Sequence, residues 1–211
     1  MAIVRFPDPR QASEEGIVAV GGDLEPESLK LAYGQGIFPW PMEGFPLAWF
    51  CPADRAILEF ERLHVPRSLK KVLRQSQFTF TVNRAFRQVI EACAESPRPG
   101  QDGTWITTDM IEAYSVFHEL GYAHSVEVWD GELLVGGIYG VEVDGVFSAE
   151  SMFHRVSHAS KIALLHLIQY LQAKGLTWMD IQVMTPHMEK LGAFTISRDE
   201  FLERFRTGRF R

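Results

Sequence analysis

The stretch from Thr177 to Val183 alternates apolar and polar side chains, which is typical of a β-strand with two different faces. One face holds Met179, Ile181 and Val183, and the other holds Trp178, Asp180 and Gln182. A carboxylate and an amide on so apolar a strand are costly to bury unless they are paired or used in chemistry. Two interpretations remain open from this stretch alone: a functional pair, or a polar pair that caps a neighbouring turn.

Apolar residues at helical spacing, bounded by proline or glycine, predict six helices along the chain. One helix begins at Pro26, one covers 64–76, and one follows a cap at Asn83. The other three cover about 109–120, 159–174 and 198–205. The segment Ile37–Pro41 is too rich in proline for a helix or a central strand.

Period-two alternation predicts strands near 55–60, 78–82, 125–129, 133–143 and 146–152. Asp130-Gly131 and Asp144-Gly145 join the last three, and Asp-Gly between alternating apolar runs is a strong hairpin signal. Gly136-Gly137 inside the middle strand indicates a bulge or the close approach of another backbone.

An antiparallel meander followed by a helix and a strand matches the central order of the acyltransferase fold. That fold usually holds the pyrophosphate of acetyl-coenzyme A on a glycine-rich turn between the last meander strand and the helix. The corresponding segment here, 152–160, contains no glycine. The scaffold therefore predicts acyl transfer from a donor other than coenzyme A.

Composition indicates a folded chain of 211 residues with a substantial core, because 46% of the residues are hydrophobic and 12% aromatic. No segment approaches the ~18 consecutive apolar residues of a membrane span, and the start, Met1–Asp8, lacks the apolar stretch of a signal peptide. Two cysteines, Cys51 and Cys93, make no disulfide framework. We therefore expect a reduced, cytoplasmic protein.

The net charge of −6 argues against a general nucleic-acid coat but leaves room for a local basic patch. The sequence predicts such a patch on the helix at 64–76, which has Pro66 at its start. Four cations share one of its faces at positions i, i+3, i+4 and i+7: Arg67, Lys70, Lys71 and Arg74. The stripe is either a solvated face or a contact with a phosphate backbone.

Several motifs in order make the chain similar to the leucyl/phenylalanyl-tRNA–protein transferase family. They are Gly21-Gly22-Asp23-Leu24, Ala32-Tyr33 with Gly36–Trp40, Gly103–Thr107, Ala123–Glu127, Gly136–Gly140, Glu150-Ser151-Met152-Phe153 and Asp180-Ile181-Gln182-Val183. The resemblance covers nearly the whole chain. It implies an α/β (α+β) fold with a small N-terminal domain, 1–62, and an acyltransferase-like (GNAT-type) domain, 63–211, whose mixed sheet is flanked by helices.

The resemblance also implies an activity: transfer of leucine or phenylalanine, with methionine as a further candidate, from charged tRNA to proteins. The acceptors are proteins with an N-terminal Arg or Lys, which the added residue marks for degradation. The implied reaction needs no ATP, cofactor or metal, because the aminoacyl ester is already activated.

Site residues are carried over from the family position by position. The catalytic pair is Asp180 and Gln182, and the acceptor peptide faces Glu150 and Asp180. The terminal adenosine stacks on Trp40 and Trp105, and the tRNA backbone meets Arg67, Lys70, Lys71 and Arg74. The pocket for the transferred side chain is formed by Ile138, Phe147, Ser151, Met152, Phe153, Leu167 and Leu171.

Three alternatives make different predictions. A coenzyme A-dependent N-acetyltransferase would need the missing glycine-rich turn. A non-catalytic tRNA-binding module would use the basic helix but would have no use for Asp180 and Gln182 on one face. A metal hydrolase would use His154 and His158, which stand at i, i+4, yet no Glu accompanies them in metalloprotease spacing.

Overall fold

The fold is a small three-stranded sheet beside a larger seven-stranded mixed sheet, with helices on both faces of the latter. It is seen in a computed structural model that describes residues 2–42, 44–97 and 104–208. Gly103, the first residue of one sequence motif, lies outside the described residues. This arrangement confirms the predicted mixed α and β class and the acyltransferase-like sheet.

The strands are β1 (Ile17–Val20), β2 (Phe38–Trp40), β3 (Ala48–Phe50), β4 (Asp54–Glu59), β5 (Thr79–Val82), β6 (Ala123–Asp130), β7 (Leu133–Val143), β8 (Val146–His154), β9 (Trp178–Gln182) and β10 (Phe194–Ser197). The helices are α1 (Pro26–Tyr33), α2 (Arg67–Gln75), α3 (Phe86–Glu95), α4 (Thr108–Glu119), α5 (Ala159–Ala173), α6 (Pro186–Glu189) and α7 (Arg198–Gly208). No helix among these described segments is both long and apolar enough to span a bilayer.

The large sheet has the strand order β10-β4-β9-β8-β7-β6-β5, and β8 and β9 form its parallel pair. The helix α5 connects those two strands, as a parallel crossover requires. The strand β4 lies inside this sheet, so the chain enters it before residue 62, the boundary that the sequence suggests.

Two apolar clusters cover the two faces of the large sheet. The cluster that contains the inward side of α5 includes Ile162, Leu167 and Met179. The opposite cluster contains residues of α1, α3, α4 and α7. The alternation of β9 is thereby confirmed, because Met179 and Ile181 belong to the first cluster and Trp178 packs against the second.

Two local expectations need correction or refinement. Asn83 does not cap α3, whose N-cap is Ala85; instead its side-chain oxygen accepts a hydrogen bond from the Ser125 N–H at 2.9 Å. The proline-rich segment after Ile37 does contain a strand, β2, but this strand is at the edge of the small sheet, where proline is tolerated.

Gly136 marks a place where β7 and α5 approach each other closely. A Cβ atom at this glycine would lie 2.6 Å from the Ala159 Cβ and 2.9 Å from the Ala159 carbonyl carbon. The adjacent register shift is a bulge in β7 itself: Val128 pairs with Gly136 and Trp129 with Leu134, which leaves Val135 without an opposite residue. Both interpretations of the paired glycines are therefore confirmed.

We predict that Gly136→Ala lowers the free energy of unfolding by about 1–3 kcal/mol, because the added methyl group overpacks the contact with Ala159. Urea denaturation of the single variant, of Ala159→Gly and of the double variant measures the coupling. The double variant should lose less than the sum of the two single losses. Simple additivity would contradict the proposed contact.

Candidate functional site

The centre of the candidate site is a buried ion pair between Arg55 on β4 and Asp180 on β9, two neighbouring strands of the large sheet. The guanidinium Nε donates to Asp180 Oδ1 at 2.8 Å, and Nη2 donates to Oδ2 at 2.7 Å. The side chains are 1% and 0% exposed. Burial by itself lowers the pKa of Arg55, but the adjacent Asp180 carboxylate raises it above its ordinary value.

The Asp180 carboxylate accepts two further hydrogen bonds. Ser148 Oγ donates to Oδ2 at 3.0 Å, and the Gln182 backbone N–H donates to Oδ1 at 2.8 Å. On the other side, the Arg55 guanidinium stacks on the rings of Phe38 and Phe201, at 4.7 and 4.4 Å from their centroids. With both oxygens occupied, Asp180 acts on its surroundings through Arg55 and Gln182, and a direct contact with a substrate would require an exchange of partners.

Gln182 ends β9 with a left-handed backbone, φ +63°. For a residue other than glycine this conformation is strained, at a typical cost of ~1–3 kcal/mol, and it persists only where the surroundings fix it. Here the hydrogen bond from its N–H to Asp180 helps to do so. The side-chain Nε2 of Gln182 then donates to Glu150 Oε1 at 2.7 Å.

Glu150 is the extra residue of a β-bulge in β8. On the facing strand β7, Tyr139 pairs with Ser151 and Gly140 pairs with Ala149, which leaves Glu150 without an opposite residue. A bulge redirects a side chain and is frequent beside active sites. In this case it directs Glu150 towards Gln182 and Tyr33.

Two buried tyrosines complete the network. The Tyr33 hydroxyl on α1 donates to Glu150 Oε1 at 2.7 Å and is hydrogen-bonded to the hydroxyl of Tyr114 on α4. Burial raises the pKa of both phenols well above the ordinary value, and the charge of Glu150 adds to this. Both hydroxyls therefore stay protonated over the whole neutral range.

Glu150 has an unusual combination of contacts. Burial raises its pKa from 4.5 to about 8, against the opposing hydrogen bond from Tyr33, and the charge of Asp180 adds to the increase. Its Oε1 accepts two hydrogen bonds, whereas its Oε2 is shielded from solvent and meets no donor from the described residues. One carboxyl oxygen is therefore held in place, while the other is buried without a hydrogen-bond partner in the described part of the chain.

The two tryptophans predicted to hold an adenosine lie against each other, with ring centroids 5.2 Å apart and an interplanar angle of 22°. Trp40 also contacts Phe38, at a centroid distance of 6.1 Å. Since Phe38 stacks on Arg55, a continuous series of side-chain contacts joins the tryptophan pair to the ion pair. The structure thus brings both predicted groups to the same region.

The predicted aminoacyl pocket is gathered only in part. Ile138, Phe147, Met152, Leu167 and Leu171 all belong to the apolar cluster beneath α5. Phe153, in contrast, belongs to the cluster on the opposite face of the sheet. Ser151 is partly buried.

The predicted basic face of α2 is present. Arg67, Lys70, Lys71 and Arg74 are all exposed, and the structure shows no carboxylate paired with them among the described residues. The opposite side of this helix buries Leu69, and α2 contacts α5. In the same described part of the chain, no group of three or more His, Cys, Asp or Glu side chains could hold a metal ion.

Four residues of the network are not among the sequence-predicted site residues: Tyr33, Arg55, Tyr114 and Ser148. Arg55 carries the clearest signal in retrospect, since a lone cation beside Ala56-Ile57-Leu58 must be paired if that strand is buried. The tyrosines look like ordinary apolar residues of two helices. Only the fold shows that their hydroxyls meet.

Comparison with known proteins identifies relatives along the whole chain. A family model described as leucyl/phenylalanyl-tRNA protein transferase matches residues 57–206, and the model of that family's N-terminal domain matches residues 22–53. Among solved structures, a GCN5-related N-acetyltransferase-like protein from Streptococcus suis 89/1591 covers 78% of this chain and 61% of its own. The TM-score is 0.40 and the sequence identity 17%.

Three curated relatives bear the name leucyl/phenylalanyl-tRNA–protein transferase. The chain is 48% identical over 199 residues to that of Anaeromyxobacter dehalogenans strain 2CP-C, with 94% of this chain and 85% of the relative covered. The identity is 48% over 197 residues for Flavobacterium johnsoniae, with 93% of each chain covered. For Shewanella sediminis it is 48% over 210 residues, with 97% of this chain and 89% of the relative covered.

We predict that Arg55→Met lowers the free energy of unfolding by about 3–5 kcal/mol, because it leaves the Asp180 charge buried without a partner. Adding Asp180→Asn should restore part of the loss, since it removes that charge. Chemical denaturation of both variants measures the effect. Arg87→Met, which breaks an exposed ion pair with Glu112, is the control and should change stability far less.

We predict a pH-dependent stability that comes from Glu150. Its folded-state pKa, about 8, lies above the value in the unfolded chain, so between about pH 5 and 8 the folded state binds a proton that the unfolded state has lost. Stability should therefore fall as pH rises through this window, by up to about 1.4 kcal/mol per pH unit. Glu150→Gln should remove that decline in urea titrations; parallel curves for both proteins would contradict the assignment.

Proposed function

The chain belongs to the leucyl/phenylalanyl-tRNA–protein transferase family, and we propose that it transfers leucine or phenylalanine from charged tRNA to the N-terminal Arg or Lys of acceptor proteins. The observation that carries the proposal is the coverage of the match, which includes Tyr33 and Trp40 in one family model and Glu150, Asp180 and Gln182 in the other. In this proposal the product is a protein marked for degradation, and the enzyme works in the cytoplasm, where charged tRNA is available.

The reaction requires the protein to position both substrates and to remove a proton from the attacking amine, and little else. The aminoacyl ester on tRNA is already activated, so peptide-bond formation needs no ATP. The attacking α-amine has an ordinary pKa near ~8 and must lose a proton as it attacks the ester carbonyl. Placing both substrates correctly supplies on the order of 7–11 kcal/mol of the barrier.

Glu150 is the group best suited to receive that proton. Its pKa of about 8 matches that of the amine, which is the condition under which general-base catalysis is most efficient. Its Oε2 has no hydrogen-bond partner among the described residues, while Tyr33 and Gln182 hold its Oε1. In its charged form, the same carboxylate attracts the cationic side chain of an N-terminal Arg or Lys.

Asp180 and Gln182 form the catalytic pair in this proposal, with different roles. The Gln182 carboxamide donates to Glu150 through Nε2, and its Oε1 receives no hydrogen bond from the described residues and can accept one from the incoming amine. Asp180 holds Gln182 through its backbone and holds Arg55 in turn. It therefore positions the carboxamide, while its own charge is balanced by that of Arg55.

Donor recognition divides among three parts of the surface. The apolar side chains beneath α5 supply the pocket for leucine or phenylalanine, and Met152 can repack between the two. Trp40 and Trp105 stack on the terminal adenosine, worth ~1–3 kcal/mol per base. The exposed cations of α2 contact the tRNA backbone without reading its sequence.

A direct assay tests the proposal. The protein is mixed with labelled leucyl-tRNA and a peptide that begins with Arg, without ATP, and label should appear on the peptide. An otherwise identical peptide that begins with Glu should remain unlabelled. Acetyl-coenzyme A as the donor should give no product, and acetylation of the peptide would favour the N-acetyltransferase alternative.

We predict that Glu150→Gln lowers the transfer rate by about 10²–10⁴-fold, the usual range for loss of a general base, and flattens its rise with pH. Asp180→Ala should also abolish transfer, while charged tRNA remains bound. Filter binding measures the affinity for charged tRNA, and single-turnover rates measure the transfer step.

Normal transfer by Asp180→Ala would overturn the catalytic assignment of Asp180. Binding of charged tRNA without transfer by the wild type would favour a tRNA-binding module.

A further inference from the structure

Positive charge collects at the place where β8 ends, α5 begins and α6 follows β9. We call this cluster the α5 site; it comprises His154, Arg155, His158, Lys161, His187 and Lys190. Burial, and then the nearby charges of Lys161, His154 and Lys190, lower the pKa of His187. Basic side chains from three separate elements are thus close enough to interact, although the whole chain is acidic.

The first turn of α5 has unused donors. Its N-cap, His158, has φ +71° and makes no capping hydrogen bond, and the turn contains no acidic residue. The backbone N–H groups of Ser160 and Lys161 have no acceptor among the described residues. The positive end of a fifteen-residue helix is therefore unneutralised.

Two imidazole nitrogens make a second, independent observation. His158 Nδ1 and His187 Nε2 are shielded from solvent and have no hydrogen-bond partner in the described part of the chain. There, too, no carboxylate pairs with Lys161, Lys190 or Arg155. The Arg155 guanidinium donates one hydrogen bond, to the Leu134 carbonyl at 3.1 Å, and keeps its other donors. The nearest acid in sequence, Glu189 on α6, is exposed.

The position of this cluster relates it to the reaction centre. Within β8, Glu150 and His154 are four residues apart, which corresponds to about 13 Å along the strand at ~3.3 Å per residue. At the far side, the His64 N–H donates to the Leu191 carbonyl at 2.9 Å, which places the end of α6 beside the segment that leads into α2. The α5 site is thus connected through β8 to Glu150, and through the end of α6 to the segment that leads into α2.

We propose that the α5 site binds the backbone phosphates of the single-stranded 3′ end of the aminoacyl-tRNA, directly before the terminal adenosine. This inference rests on the proposed function and deepens it. Side chains and uncapped N–H groups here replace the glycine-rich turn with which the acyltransferase fold holds pyrophosphate. The same corner of the scaffold then takes a nucleic-acid phosphate in place of a coenzyme.

Three donors of decreasing length test the proposal: leucyl-tRNA, a leucylated trinucleotide with the tRNA's 3′ sequence, and leucyl-adenosine, which has no phosphate. For Lys161→Ala with Lys190→Ala, we predict that KM rises at least about tenfold for the first two donors, the effect of losing one charge-assisted hydrogen bond. KM for leucyl-adenosine and kcat for all three donors should be unchanged. The salt dependence of tRNA binding should weaken by a slope of about 1–2.

Two control variants define the outcome. Lys70→Ala with Lys71→Ala should raise KM for leucyl-tRNA but leave the trinucleotide unaffected. Arg87→Ala with Arg206→Ala removes two exposed cations elsewhere and should change none of the values. Unchanged KM for the trinucleotide in the α5 variant, or an equal loss with leucyl-adenosine, would overturn the α5 site. If the wild type uses none of the donors, the proposed function itself fails.

Discussion

The buried pair of Arg55 and Asp180 is the interaction on which the rest of the site depends. An unpaired charge in an interior of this kind is strongly destabilising, so the two charges must be buried together. Segments distant in sequence surround the pair: Ser148 from β8, and the rings of Phe38 and Phe201 from the small sheet and α7. Within this ion pair, only the Nη1 of Arg55 is buried without a hydrogen-bond partner among the described residues. The N-terminal sheet, the large sheet and the last helix therefore meet around one guanidinium.

The ion pair also fixes irregular backbone that would not otherwise persist. Gln182 adopts a left-handed conformation and Glu150 sits in a bulge, and the hydrogen bond between their side chains joins the two irregularities. Preorganised polar groups supply catalysis only when supporting contacts hold them firmly. Here Asp180 supports Gln182, Gln182 and Tyr33 support Glu150, and Tyr114 supports Tyr33.

Local patterns in the sequence predict most of the elements. The two Asp-Gly turns predict the hairpins of the meander, and Pro66 predicts the start of α2. Gly136 predicts the close approach of another segment, which is α5. The strands β1, β2, β3 and β10 escape prediction because they are short and owe their conformation to neighbours across the sheet. Asn83 escapes for a similar reason, since its side chain bonds to a distant strand rather than to its own helix.

The site is predictable only in part for a related physical reason. Alternation along β9 places Asp180 and Gln182 on one face, and the resemblance supplies Glu150 and the tryptophans. Neither reveals Arg55 as the partner of Asp180, because the two residues are 125 positions apart and pair only when β4 and β9 become neighbours. The hydroxyls of Tyr33 and Tyr114 likewise meet only after two helices pack.

The single unpaired residue in β8 has a consequence for the strand's whole carboxyl-terminal half. Without it, every later side chain in that strand would change sides, because neighbouring residues of a strand point in opposite directions. Met152 would leave the layer beneath α5, and Phe153 would enter it. One inserted position thus sets the phase of the strand, and with it which side chains enter the proposed aminoacyl pocket.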